Sequence, residues 1–256
     1  MTRVITGTIA VVLALGALAD GAQAPQQGTA PPVASPTPRA QSPIDLAGTW
    51  VSVVTEDWRW RMMTPPKGDY PSIPLNAEAR KIADAWDPAR DTAAGEQCRS
   101  YGAATIMRVP GRVRVSWEND STLKVETEAG AQTRRFVFGR PAPAAGEKTW
   151  QGRSAANWQM AGGGGPRGGG PPRAGSLRVV TTGMRAGYLQ KNGVPYSENA
   201  VVTEYFNRTS EPNGDQWLVV TTVVQDPQFL TSRFARSSHS KKVADAPFTP
   251  TACEAS

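Results

Sequence analysis

The sequence predicts an all-β protein, an antiparallel barrel or sandwich of about 8–10 short strands with one short inserted helix. Apolar and polar residues alternate in short segments that follow one another at hairpin spacing. Turn signals such as Asn192-Gly193 and Pro212-Asn213-Gly214-Asp215 separate these segments. One segment, Asn76 to Trp86, instead carries the periodicity of a helix.

The composition limits the classes of function open to this chain. Its 256 residues suit one globular domain with flexible additions, and its 8 Trp argue against disorder of the whole chain. A single His and two Cys cannot supply the four ligands of a usual zinc site, so we expect no metal. The net charge of +6 comes from scattered basic residues, which do not indicate a nucleic-acid partner.

Two N-terminal segments are predicted to lie outside the fold. Arg3, the apolar run Val4 to Ala19 and the small-x-small site Ala22-Gln23-Ala24 predict a secretory signal peptide over residues 1–24. No later stretch is apolar enough to span a bilayer, so we expect no transmembrane segment after signal removal. Residues 25–44 are rich in Pro, Ala, Gln, Ser and Thr and predict a disordered tether before a single barrel domain over 45–256. The expected location is periplasmic or secreted.

The predicted elements follow in order along the barrel domain. The first strand is predicted from Leu46 to Trp60, where apolar and β-branched residues cluster. In the helix, Asn76 can cap the N-terminus, and Asp87-Pro88 ends the element. The remaining strands are predicted from alternation and turn residues over 112–117, 123–127, 133–138, 150–160, 176–182, 201–206, 216–224 and 230–240.

A segment of Gly, Pro and Arg spans residues 161–175 between two strands whose patterns match a hairpin. A phosphate-binding glycine loop would require a following helix and a GK[ST] motif, and the sequence has neither. We therefore interpret the segment as a flexible hairpin loop and expect no cofactor.

The two cysteines predict one disulfide. Cys98 follows the helix, and Cys253 lies close to the last residue of the sequence. An even pair in an exported chain favours a structural bridge. The alternative, a reactive thiol pair, lacks the C-x-x-C spacing that such pairs use.

The densest group of chemical side chains occupies residues 55–63. On a continued strand, one face would carry Glu56, Trp58, Trp60 and Met62. The other face would carry Asp57, Arg59 and Arg61. The first face could line an apolar pocket for an aromatic or alicyclic ligand, with a carboxylate to orient it or to act as acid or base. In the alternative interpretation, both Trp belong to the core and the Arg and Asp groups form a surface charge lattice.

Three further residues are candidates for a site. His239 is the single histidine, so any Ser-His-acid triad would have to use it, although no G-x-S-x-G motif supplies a nucleophile. Tyr196 and Glu198 follow the Asn192-Gly193 turn and could bind a polar ligand group near a barrel mouth. They could equally close a barrel end with routine hydrogen bonds.

Gly48-Thr49-Trp50, at the start of the first strand, resembles the G-x-W signature of lipocalin-type barrels. The resemblance implies a lipocalin-like barrel whose Trp50 closes the bottom. A wider resemblance, to a group of exported bacterial proteins without an assigned activity, covers most of residues 46–253. It is carried by the segments 56–62, 65–70, 106–111 and 192–198. It implies export and no particular chemistry.

Three hypotheses follow for the function. The first is an exported barrel that binds a small, largely apolar or aromatic ligand through Trp58, Trp60, Met62 and Glu56. The second is a cofactor-independent isomerase, lyase or hydrolase, with Glu56 or Asp57 as base and Tyr196, Arg59 or His239 as polarising group. The third is an envelope interaction protein that uses the tether and the 161–175 loop as contact arms.

Overall fold

Strands account for most of the regular structure in the computed structural model, which describes residues 35–139, 146–160, 175–244 and 247–255. Eleven strands are found in these ranges: β1 Gly48–Ser52, β2 Arg112–Asn119, β3 Thr122–Thr127, β4 Thr133–Phe138, β5 Arg153–Met160, β6 Gly175–Thr182, β7 Gly187–Gln190, β8 Val194–Tyr196, β9 Val201–Ser210, β10 Gln216–Gln225 and β11 Phe234–Val243. Three short α-helices are found there: α1 Trp58–Arg61, α2 Ala77–Asp84 and α3 Pro88–Ala93. The sequence predicted one helix.

Nine strands form a closed barrel in the order β1-β11-β10-β9-β6-β5-β4-β3-β2. The all-β barrel prediction is therefore confirmed. Strand β1 closes the ring because it pairs with β2 on one side and with β11 on the other. Among the described strands of the barrel, neighbours are antiparallel except β4 and β5, which run parallel over three residue pairs. The sequence predicted antiparallel pairing throughout.

The barrel is filled by the side chains that point inward. Alternation on β2 places Val113 and Val115 in the interior, where they join a cluster of fully buried aromatic residues that includes Phe136 and Phe206. Trp50 of the G-x-W segment is also fully buried, and its Nε1 donates to the Leu46 carbonyl at 3.0 Å. A packed apolar interior of this kind accounts for the closure of the barrel.

A second apolar cluster includes residues from α2 and from the β7–β8 hairpin. The predicted N-cap of α2 is confirmed, because Asn76 Oδ1 accepts from the Ala79 backbone N–H at 2.9 Å. Helix α2 ends at Asp84, short of the predicted end at Trp86. Asp87 instead caps a new helix, α3, which begins with Pro88 at the position where its missing N–H costs nothing.

The predicted turn at Asn192-Gly193 joins β7 to β8. Gly193 has φ +81°, and a Cβ there would lie 2.2 Å from Cγ of Trp86. Glycine is therefore required at this position by both backbone conformation and packing.

Only the last part of the predicted N-terminal segments belongs to the described residues. The predicted signal peptide, 1–24, and most of the predicted tether lie outside the described residues. The last part of that tether contacts the barrel, since Trp158 Nε1 donates to the Pro38 carbonyl at 2.7 Å and Ile44 packs on the core. The compact unit that contains the barrel includes these tether residues from Pro36 onward. Of the predicted 161–175 loop, Gly175 begins β6 and the remainder lies outside the described residues.

The C-terminal segment is held to the barrel by the predicted disulfide, Cys98–Cys253, which is confirmed. Glu128 adds a second attachment. Its carboxylate accepts from the Thr249 backbone N–H at 2.8 Å, and its carbonyl accepts from the Thr251 N–H at 2.8 Å.

Replacing Glu128 with Gln should lower the free energy of unfolding by about 1–3 kcal/mol at neutral pH, because a charged acceptor of backbone N–H groups is lost. Burial raises the pKa of Glu128, but hydrogen bonds from the Thr249 and Arg112 N–H groups outweigh burial and hold the pKa below its ordinary value. A lowered carboxyl pKa stabilises the fold above the ordinary pKa, and this stabilisation is lost as the pH falls through the lowered value. The difference in free energy of unfolding between wild type and Glu128→Gln, measured by urea unfolding, should therefore shrink below about pH 4. A difference that stays constant with pH would contradict a stabilisation by the charged carboxylate. Glu211→Gln, at an exposed position in the turn between β9 and β10, is the control and should leave the free energy of unfolding unchanged.

Candidate functional site

The segment that carries most of the predicted site residues does not continue the first strand. Strand β1 ends at Ser52, and the chain turns at Asp57, which has a left-handed backbone with φ 51° and begins α1. Trp58 and Met62 then lie one helical turn apart, and each is 60% exposed. The predicted strand from Leu46 to Trp60 is therefore wrong beyond Ser52, and the shared face of Glu56, Trp58, Trp60 and Met62 does not form.

The two predicted catalytic carboxylates each pair with a buried arginine. Glu56 forms an ion pair with Arg61, whose side chain is 1% exposed. Arg61 Nε also donates to the Arg108 carbonyl at 2.9 Å. Asp57 Oδ2 accepts from Arg108 Nη2 at 3.0 Å and lies 3.3 Å from Arg236 Nε. The arginine cluster therefore consists of Arg61, Arg108 and Arg236 with Glu56 and Asp57.

The arginine cluster carries more positive than negative charge. Three guanidinium groups face two carboxylates, which leaves an excess of one positive charge. Burial lowers the pKa of Arg108 to about 10; Asp57 counteracts this effect, and the neighbouring Arg236 and Arg61 add to it. Burial also lowers the pKa of Arg61. An anion placed beside these groups would favour their charged forms.

His239 lies next to Glu56, but the geometry is not that of a catalytic relay. Thr55 Oγ1 and His239 Nε2 are hydrogen-bonded at 3.2 Å, and Glu56 Oε2 lies 3.2 Å from His239 Nδ1. A relay requires the hydroxyl and the carboxylate on opposite edges of the imidazole. Here Thr55 Oγ1 donates to Glu56 Oε2 at 3.2 Å, so both oxygens lie on the same side of the ring. The arrangement is a polar cluster on the outer surface of β11.

A small crevice lies against the arginine cluster, with about 20 Å³ of space for the centres of water-sized groups, which is room for about one water molecule. Its lining joins apolar, cationic and amide side chains: Trp60, Arg61, Thr105, Arg108, Val109, Leu189, Gln190 and Lys191. We call it the α1 crevice. It combines apolar walls with three basic groups, and only a small group of a ligand can enter its enclosed part.

Several polar atoms of the α1 crevice have no hydrogen-bond partner within the described part of the chain. Three are donors: Trp60 Nε1, Arg61 Nη2 and Arg108 Nε. One is an acceptor, Gln190 Oε1. A buried polar group without a partner costs about 1–3 kcal/mol, and more when it is charged. The excess of donors favours a ligand that accepts hydrogen bonds.

The other predicted ligand-binding residues are placed elsewhere. Arg59 is exposed, pairs with Asp69 at 2.8 Å and lies over the Trp60 ring, with its Cζ 5.5 Å from the ring centroid. Tyr196 is fully buried in the second apolar cluster, and burial raises the pKa of its hydroxyl far above the ordinary value. Glu198 forms an exposed ion pair with Lys148. Neither Tyr196 nor Glu198 lines the α1 crevice.

Sequence reasoning missed most of the residues that complete this site. Arg108, Arg236, Gln190 and Lys191 come from three distant parts of the chain. One signal was present for Arg108, which is the charged residue within Ile106-Met107-Arg108-Val109. A charge inside an apolar run is a sign of a buried and partnered side chain.

Comparison with protein-family models, curated proteins and solved structures found no match. Within the described ranges, no group of three or more His, Cys, Asp or Glu is placed to hold a metal ion. No helix in those ranges has the length and apolar character needed to cross a membrane.

Proposed function

We propose that this chain binds a small anionic ligand with a flat apolar part, such as an aromatic or alicyclic carboxylate, with the acid group at the α1 crevice and the apolar part at its open mouth. The observation that carries the proposal is the group of three donors without a partner among the described residues, Trp60 Nε1, Arg61 Nη2 and Arg108 Nε, which belong to side chains lining one crevice. The excess positive charge of the arginine cluster and Lys191 favours an anion. The side chains of Trp60, Val109 and Leu189 provide apolar contact for the rest of the ligand.

The barrel interior is a poorer candidate for the ligand than the α1 crevice. Large inward side chains such as Trp50, Phe136 and Phe206 occupy it. A largely apolar ligand of the kind expected from the sequence would have to displace them. The ligand class proposed here keeps the aromatic part of that expectation and adds an acid group.

The affinity for benzoate tests the proposal. Calorimetric titration should show binding of benzoate and much weaker binding of benzyl alcohol, which has the same ring without the charge. Trp60→Phe removes the indole N–H but keeps an aromatic ring, and it should weaken benzoate binding by about tenfold or more, as for one hydrogen bond to a charged group.

Trp58→Phe is the matched control, because it makes the same substitution two residues earlier, at an exposed position. It should leave the affinity unchanged. Equal binding of benzyl alcohol would contradict selection by charge. The absence of benzoate binding at millimolar concentration, or an equal loss in both Trp variants, would contradict the assigned site.

The exposed apolar residues of α1 favour a second candidate function, interaction with a partner in the cell envelope. Trp58, Met62 and Met63 are each at least 60% exposed, and such side chains are enriched at protein interfaces. A photo-crosslinking residue at position 62 should capture a partner in cells, and one at the exposed Arg90 should not. Capture at both positions, or at neither, would contradict this function.

We also propose that the protein is exported to the periplasm or beyond the cell. The apolar leader sequence supports export. The Cys98–Cys253 disulfide is typical of an oxidising compartment. Cell fractionation should find the protein outside the cytoplasm with a mass reduced by residues 1–24. A full-length cytoplasmic protein would contradict this location.

A further inference from the structure

The contact between β4 and β5 is short, and a recess lies beside it. These two strands pair only between residues 136–138 and 154–156. Before these pairs, the chain around Thr133 and the chain around Gly152 border a recess of about 300 Å³. We call it the seam recess. It is formed by residues other than those of the α1 crevice.

The lining of the seam recess is basic and rich in hydroxyl groups. It consists of Thr133, Arg134, Arg135, Val137, Thr149, Gln151, Gly152, Arg153 and Ser154. Three of these residues are arginines and three carry hydroxyl groups. Two of the arginines are paired with carboxylates outside the lining, Arg134 with Glu204 and Arg135 with Glu118.

The inner wall of the recess includes a fully buried guanidinium, Arg134. Its two Nη groups donate to the carboxylate of Glu204 at 2.9 and 2.5 Å. Nη2 also donates to Thr181 Oγ1, which is 2.7 Å from Ser154 Oγ. Arg134 Nε has no partner within the described part of the chain. Because its other N–H groups are engaged, Arg134 is held rigidly with one donor left over.

Gln151 provides the complementary acceptor. Its Nε2 donates to the Tyr101 carbonyl at 2.7 Å, which fixes the orientation of the amide. Its Oε1 is buried and has no partner among the described residues. The recess therefore combines one fixed donor and one fixed acceptor with the hydroxyl of Ser154.

The outer wall contributes a cationic group that can move. Arg135 pairs with Glu118 through Nε at 2.9 Å, and its side chain is 56% exposed. Exposed pairs of this kind contribute little to stability. Arg135 can therefore turn towards an anion in the recess at small cost.

We propose that the seam recess binds a small molecule that carries both an oxyanion and hydroxyl groups, the chemistry of a sugar acid or a sugar phosphate. The oxyanion would accept from the mobile Arg135 guanidinium and from Arg134 Nε. Hydroxyl groups of the ligand would donate to Gln151 Oε1 and exchange hydrogen bonds with Ser154. The proposal is independent of the function proposed for the α1 crevice.

Glucuronate and glucose 6-phosphate are the probes, with glucose and inorganic phosphate as their neutral and hydroxyl-poor counterparts. Calorimetric titration should show at least one of the two probes binding more tightly than both counterparts. Val137→Trp places a large side chain at the outer wall without touching the Arg134–Glu204 pair, and should weaken binding by about tenfold or more. Val137→Ala keeps the recess open and should retain binding.

Arg135→Gln should weaken binding several-fold, and Arg90→Gln, at an exposed arginine of α3, should have no effect. Benzoate binding at the α1 crevice should be unchanged in all four variants, so failure at one site is distinguishable from failure at the other. Equal binding of inorganic phosphate, equal binding of glucose, or binding that survives in the Val137→Trp variant would each overturn the proposal. The absence of binding of both probes at millimolar concentration would overturn it as well.

Discussion

Replacing Glu204 with Gln should destabilise the fold by about 3–5 kcal/mol, the cost of leaving one partner of a buried ion pair uncompensated. Glu204 and Arg134 are both fully buried, and the carboxylate accepts from both Nη groups of the guanidinium. Gln keeps the size and shape of the side chain but removes its charge. The Arg134 guanidinium would then remain in the barrel wall without a counter-charge.

Urea unfolding followed by tryptophan fluorescence measures this loss as a shift of the midpoint at constant slope. The double variant Arg134→Met with Glu204→Leu removes both charges and fills similar volume. It should be considerably more stable than Glu204→Gln, because no buried charge is left unpaired. If Glu204→Gln unfolds at the midpoint of the wild type, the charge pair does not contribute as inferred.

Removing the Cys98–Cys253 disulfide should have the second large effect. The bridge joins residues separated by 155 positions. In the chain-entropy model, closing a loop of that length stabilises the fold by at most about 5 kcal/mol at 25 °C. The double variant Cys98→Ser with Cys253→Ser should therefore unfold at clearly lower urea concentration than the wild type.

The C-terminal segment should also detach in this variant. Without the bridge, residues 247–255 are held mainly by hydrogen bonds such as those to Glu128. Hydrogen exchange of the Thr249 and Thr251 amides should then become faster. Wild type treated with reductant is the control and should reproduce both changes. A variant as stable as the oxidised wild type would show that the bridge does not stabilise the fold by restricting the conformations of the unfolded chain.

The parts of the fold that were predictable depend on contacts close in sequence. The meander β2–β3–β4 and the β9–β10 hairpin were recognised because alternation and turn chemistry act within a few residues. The parallel pair β4–β5 was not predicted, since its crossover through residues 139–152 carries no signal of its own. Strand pairing between distant segments is decided by tertiary packing.

The sequence predicted some residues of the candidate site correctly but assigned them to the wrong type of secondary structure. Glu56, Asp57 and Trp60 lie at the site, but the alternation at 56–62 fits a strand and a helical turn equally well in so short a segment. The turn at Asp57 is fixed by Arg108 and Arg236, which are far away in sequence. Long-range ion pairs of this kind leave no local pattern, so the sequence could not predict them.

The pairing of β1 with β11 has a consequence for the order of folding. Thr49 pairs with Val243 and Ser52 pairs with Ser240, so the first and last strands of the barrel are neighbours. The β2–β3–β4 meander can form from contacts close in sequence, but the ring cannot close until β11 is available to pair with β1. Until then the two edges of the sheet are unpaired, and unpaired edges invite association with other chains. Pairing of β11 is therefore the folding step that removes both exposed edges.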